Sequence, residues 1–214
     1  MVFWDKVLWK GESPISGKIK VTEGFGVRRL VVEGYTQSRN LAKSGKTGFY
    51  WDSFLENLPK INRKSKILIL GLGGGTSAKL FLNKFGKVYI EGVEIDPVII
   101  NLGKKFFYLN DPNIRIHKSD AKEFIRKTKD KYKVICVDTF LGSKIPDFIE
   151  NLGFFDILKG LLERDGVMIA DKICNDEEED KEFVNSISRV FKDIKVSRER
   201  GHAYQQNVIV YGSN

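Results

Sequence analysis

Residues Lys66–Thr76, KILILGLGGGT, constrain the fold more than any other stretch of the chain. The apolar run Ile67–Leu70 suits a strand buried on both faces of a parallel sheet. Gly71, Gly73, Gly74 and Gly75 follow it within five positions and predict a tight turn whose backbone can approach a ligand closely. Thr76 or Ser77 is then expected to cap a helix carrying Ala78, Leu80, Phe81, Leu82 and Phe85. Strand, glycine turn and helix together make the first unit of a nucleotide-binding α/β sheet.

From Lys66 onward the chain alternates strands and helices, the mark of a parallel sheet with crossovers. Expected strands are Val88–Ile95, Ile114–His117, Lys133–Asp138 and Gly166–Asp171. The expected helices begin at Pro97 and Asp120, run from Phe154 to Leu162, and open on the acidic run Asn175–Asp180. That run reads as carboxylates facing a helix N-terminus rather than a metal site. Ile194–Arg198 and Val208–Tyr211 predict an antiparallel hairpin at the end of the sheet. Before residue 60 the texture differs. Ile19 and Val21, then Val27 and Leu30–Val32, read as a hairpin turning at Glu23–Gly26. Gln37 to Gly48 reads as a polar loop, and Phe49–Leu55 as an aromatic helix closed by Pro59. The expected division is therefore a small unit at 1–60, too small for its own core, leaning on a nucleotide-binding unit at 61–214.

Composition narrows the classes. No apolar run in the 214 residues approaches membrane-spanning length, and MVFWDKVLWK lacks the apolar core of a signal peptide. Cys136 and Cys174 fall at strand positions and read as buried thiols, so a cytoplasmic location is expected. His117 and His202 stand far apart with no cysteine pairs, which argues against zinc. The formal charge of +8 is spread along the chain, so nucleic-acid binding is not indicated.

Carboxylates recur where strands end. Glu94 closes the second strand of the sheet, Asp120 follows the third and Asp138 closes the fourth, so all three head for the crevice outside the strands' carboxyl ends. Glu94 lies about twenty residues past the glycines, where an acid can accept ribose hydroxyls. A dinucleotide fingerprint starting at Gly71 would need glycine at position 76, where Thr76 stands. The third-strand acid and terminal hairpin fit instead the class I sheet of S-adenosylmethionine-dependent transferases.

GLGGGT, VEIDP (Val93–Pro97), Ser119-Asp120-Ala121 and VDTF (Val137–Phe140), followed by Ile145-Pro146, resemble the spermidine synthase-like family. The likeness is closest to the branch often fused to membrane transporters. LVVEGYTQS (Leu30–Ser38) and Phe49-Tyr50-Trp51-Asp52 extend it to the N-terminal part. The resemblance implies aminopropyl transfer from decarboxylated S-adenosylmethionine to an amine, no metal, and a homodimer. It implies that Gly71, Gly73, Gly74, Gly75, Glu94, Ile95, Asp120 and Ala121 contact the co-substrate. Gln37 and Tyr50 would line the amine side, with Asp138 steering the amine and taking its proton. The chain departs from the synthases at Gly74 and Leu141, where they carry Asp, and at Gly17, where they carry Gln. Gly74 removes a repulsion against the carboxylate of intact S-adenosylmethionine, so methyl transfer to a small molecule is the alternative reading, and a non-catalytic nucleotide-binding homologue a third.

Overall fold

The computed structural model describes residues 5–139, 152–200 and 205–213. Strands β1 (Lys6–Ser13), β2 (Gly17–Gly24), β3 (Val27–Val32) and β4 (Tyr35–Arg39) form an antiparallel sheet in chain order. A 3-10 helix, Tyr50–Leu55, follows. Next come β5 (Lys66–Leu70), α1 (Thr76–Phe85), β6 (Tyr89–Glu94), α2 (Pro97–Phe106), β7 (Ile114–Lys118), α3 (Ala121–Lys127) and β8 (Tyr132–Val137). The described chain closes with α4 (Leu152–Leu161), β9 (Leu162–Cys174), α5 (Glu177–Ser188), β10 (Asp193–Arg200) and β11 (Gln206–Ser213). The second sheet has the order β10-β11-β9-β8-β5-β6-β7. Its pairs from β9 through β7 are parallel, and β11 is antiparallel to both β9 and β10. The expected class, a mostly parallel sheet ending in an antiparallel hairpin, is therefore the one observed.

The β5 run serves both faces of this sheet. Leu68 and Leu70 enter a core with Val137, Phe155 and Leu158, while Ile67 and Ile69 enter the opposite one with Trp51, Phe54, Phe81 and Cys136. The N-terminal sheet has no closed core of its own. Ile19, Val21, Leu30 and Val32 pack on Ile99, Leu102 and Phe107 at α2. Asp96 caps α2 by accepting from Val98 N–H at 2.8 Å, beside Pro97 at the first helical position. Asp96→Ala is expected to cost about 1–2 kcal/mol, read as a lower urea midpoint.

Several sequence expectations need correction. The expected N-terminal hairpin forms as β2 and β3, and two strands not expected, β1 and β4, extend it to a four-stranded sheet. β1 was hidden because a bulge between Val7 and Trp9 breaks its alternation, and β4 because Tyr35–Arg39 is polar although Ser38 is buried. Gln37 therefore lies in a strand, not in the expected loop. The aromatic helix is one 3-10 segment, entered where the Asp52 carboxylate accepts from the N–H groups of Thr47 and Gly48. Thr76 and Ser77 do not cap α1: Gly75 occupies the cap in a left-handed conformation and both hydroxyls bond elsewhere. The fifth strand of the large sheet, β9, runs to Cys174, beyond the expected Asp171.

The acidic run behaves as read, with Asp176 accepting from Glu178 and Glu179 N–H while buried Asp180 pairs with Arg198 at 2.6 Å. Both cysteines are free and buried. Among the described residues, no helix is long and apolar enough to cross a membrane. Phe3, Trp4, Leu141, Ile145, Pro146 and His202 lie outside the described residues.

Candidate active site

Chain order in the large sheet reverses between β5 and β8, so the crevice opens outside the carboxyl ends of β5, β6 and β8. The glycine turn sits there with its N–H groups already engaged. Gly71 and Leu72 donate to Val93 O at 3.0 and 2.9 Å, and Gly75 donates to Leu72 O at 2.9 Å. Gly73 donates to Glu94 Oε2 at 2.8 Å and Gly74 to Ser38 Oγ at 2.7 Å. No N–H from Gly71 to Gly75 is left to cradle a phosphate, the use such turns serve in phosphate sites. A sulfonium nucleoside, which carries no phosphate, fits this turn better than a dinucleotide does.

The glycines also answer to the protein itself. Gly71 has φ +82°, and a Cβ there would overlap the carbonyl of Asp138. A side chain at Gly74 would press on Ser38 (3.0 Å to its Cβ) and Phe107 (3.4 Å). The gap beside Gly74 is thus occupied by β4 and the end of α2.

Glu94 is buried, its two oxygens held by Gly73 N–H and, at 3.0 Å, by Asp96 N–H. Burial raises its pKa and the backbone donors oppose that rise. Next to it Ile95 is 38% exposed, an apolar surface at the crevice. Ser119 N–H donates to Glu94 O at 3.1 Å, which draws the end of β7 alongside. There Asp120 spends Oδ1 on Glu123 N–H as the cap of α3, and the Ala121 side chain belongs to the core. Ala121 can therefore meet a ligand only through its backbone.

Asp138, one residue past β8, is the most elaborated group. Its N–H donates to Leu70 O at 2.9 Å. Tyr50 Oη donates to Oδ1 at 3.0 Å and Trp51 Nε1 to Oδ2 at 2.9 Å, and Ser77 adds a third side-chain bond. Burial outweighs these donors and pushes its pKa up to about 6. The same burial, with the charge of Asp138, raises the Tyr50 phenol well above its usual range. Tyr50 is thus brought to Asp138. Gln37 lies at the glycine turn, its carbonyl accepting from Ser38 Oγ at 2.5 Å.

The sequence reading missed Asp171. Register Val137↔Ala170 sets Asp138 and Asp171 side by side on adjacent parallel strands. Asn207 Nδ2 donates to Asp171 Oδ2 at 2.8 Å, while Oδ1 is buried with no hydrogen-bond partner among the described residues, as is Thr139 Oγ1. Burial and the Asp138 charge push Asp171 well above the usual carboxylate range. A signal was available: Asp171 closes the apolar run VMIAD just as Asp138 closes VICVD. Trp51, Ser77 and Ser38 carried no comparable signal.

Native Asp138 keeps its proton to about pH 6, whereas an unfolded aspartate loses it near pH 4. Between those values the native state binds more protons, so this group's contribution to stability falls as pH rises. Urea midpoints measured through that window should drop with pH in the wild type, and Asp138→Asn should remove its part of the slope.

The spermine/spermidine synthase domain matches residues 49–213. The polyamine aminopropyltransferase of Vibrio vulnificus (strain CMCP6) is 30% identical over 146 residues, 65% of this chain and 49% of that protein. The chain therefore spans about half the length of that relative. The spermidine synthase of Thermotoga maritima superposes with a TM-score of 0.78 over 98% of this chain and 73% of its own, at 21% identity, a likeness of fold. Human methyltransferase-like protein 13, solved in complex with SAH, gives a TM-score of 0.60 at 26% identity over 70% of this chain and 72% of its own.

Proposed function

The chain belongs to the spermine/spermidine synthase family, and from that premise we propose that it transfers an aminopropyl group from decarboxylated S-adenosylmethionine to an amine. One observation carries the reading: a buried carboxyl, Asp138, held by Tyr50, Trp51 and Ser77 beside a glycine turn with no N–H left for phosphate. Glu94 would accept the ribose hydroxyls, Ile95 would lie against the adenine, and Asp120 with the Ala121 backbone would bound the base. The co-substrate supplies an electrophilic carbon next to a sulfonium. The remaining chemistry falls to Asp138, because an amine must be neutral to attack. A carboxyl whose pKa is raised toward 6 takes a proton more readily than an ordinary aspartate. Tyr50, Trp51 and Ser77 hold it in one orientation, the positioning that effective proton transfer requires.

Methyl transfer from intact S-adenosylmethionine is the second reading, favoured by Gly74: Ser38 and Phe107 fill the direction in which an acid would project there. Calorimetric titration with both nucleotides and with methylthioadenosine separates the two. Preference for the decarboxylated form is expected, preference for the intact form would replace aminopropyl by methyl transfer, and binding of none would leave the non-catalytic homologue.

The division near residue 60 belongs to this proposal, with Tyr50 and Trp51 as the part of the first unit that covers the site of the second. So does a homodimer, for which exposed Val7, Ile15 and Phe25 on the N-terminal sheet offer apolar surface, checked by light scattering.

A further inference from the structure

We propose that Asp171 is the second carboxylate of the amine subsite, pairing with Asp138 to hold a primary ammonium group and keep its countercharge during proton transfer. The inference rests on the reading above for its acceptor and deepens it.

Geometry comes first. The two carboxyls stand on adjacent strands at matching positions, on the face covered by the 3-10 helix and α1. Their side-chain partners are Tyr50 and Trp51 from the 3-10 helix, Ser77 from α1 and Asn207 from β11. None of these is a cation. Among the described residues, Cys136 and Tyr50 are the other titratable groups facing Asp138, and burial holds both of them neutral. Two buried carboxyls without a cation cannot both ionise cheaply, so the pair retains a proton.

The unmet hydrogen bonds come second. Asp171 is 2% exposed and its Oδ1 lacks a donor among the described residues. Thr139 Oγ1, one residue past Asp138, is likewise buried without a partner among the described residues. A buried acceptor left unpaired is costly, and a primary ammonium brings three donors and the missing positive charge. Among the described residues, Asp171 is the carboxyl on the strand next to Asp138, whereas Glu94 and Asp120 lie on the far side of β5, at the ends of β6 and β7.

The proton ledger then closes. The ammonium displaces the proton shared by the pair; the doubly ionised pair then carries one negative charge more than that ammonium, and the second ammonium of a diamine offsets it. For reaction, the ammonium passes one proton to Asp138 while Asp171 stays ionised. The nitrogen lone pair forms the N–C bond, the C–S bond breaks with its electrons going to sulfur, and the secondary ammonium product faces Asp171.

The test uses the full chain and 1,4-diaminobutane as the probe. Trp51 donates to Asp138, so its fluorescence, with Trp4 and Trp9 replaced by Phe, reports on the pair. Wild type should bind the diamine with release of about one proton at neutral pH, measured calorimetrically in buffers of different ionisation heat. Asp171→Asn should weaken diamine binding roughly 10- to 100-fold and abolish the proton release, while methylthioadenosine affinity stays unchanged. Asp171→Glu should restore part of both. Equal diamine affinity and equal proton release in Asp171→Asn would overturn the proposal. Should that variant not fold, carbon NMR of the wild-type aspartate carboxyls decides: the diamine should shift two of them, and no shift overturns the proposal. Failure of every nucleotide to bind would strike the function proposed above but not this inference, which the diamine titration decides alone.

Discussion

Asp138→Asn is expected to lower turnover by roughly 10²- to 10⁴-fold while leaving nucleotide affinity within a factor of about two, because proton transfer and nucleotide binding rest on different strands. Of the proposed nucleotide contacts, Glu94 ends β6, Ile95 follows it and Asp120 follows β7, whereas Asp138 follows β8. An amide can still accept from Trp51 through its oxygen, so the fold around the 3-10 helix is retained. Its nitrogen, however, cannot take a proton from an ammonium. The wild-type rate should fall as pH drops below about 6, as Asp138 fills with its own proton, and the residual rate of the variant should lack that limb. Methylthioadenosine release over a pH series provides the measurement. Turnover equal to wild type would mean that the carboxyl serves only to seat Tyr50 and Trp51.

The second large effect is on stability. Gly71→Ala is expected to cost on the order of 3–5 kcal/mol, since a left-handed backbone and a backbone clash act together. A methyl at this position would run into the Asp138 carbonyl, and the obstacle is main chain, which cannot turn aside. Gly34→Ala is the control. Its φ is +91°, but a Cβ there meets nothing within 4 Å, so only the strain of about 1–2 kcal/mol should appear. Urea unfolding of the two variants separates strain from clash. Equal losses would mean that the 71–138 contact opens without cost.

The large sheet could be read from the chain because its signals are local: apolar runs, glycines and capping acids, each deciding its own few residues. Asp176 on α5 and the terminal hairpin follow from such short-range chemistry. The N-terminal sheet was only half legible. Its outer strands owe their place to pairing with β2 and β3, and the Val7/Trp9 bulge disrupts the period that would have announced β1. In the site, acids at strand ends were visible and their partners were not. Nothing near residue 51 says that an indole will reach a carboxyl 87 positions later, nor does Ser38 advertise the N–H of Gly74. The hydroxyls of Thr76 and Ser77 suited a cap on local grounds, but distant partners claimed them: the Arg39 backbone and Asp138. Asp171 gives the same lesson from the other side, because its meaning depends on which strand lies next to it.

The bonds that tie the glycine turn to β4 bear on chimera construction. Ser38 Oγ holds Gly74, Thr76 Oγ1 exchanges hydrogen bonds with the Arg39 backbone at 2.8 and 3.0 Å, and the 3-10 helix grips Asp138. A front segment transplanted from a homologue would bring its own residue to position 38 and its own strand register at 39. The first sixty residues are therefore not an exchangeable cassette: a swap succeeds only if the donor supplies a small hydroxyl opposite Gly74 and an indole opposite Asp138, and grafts should be screened for those two positions before any other.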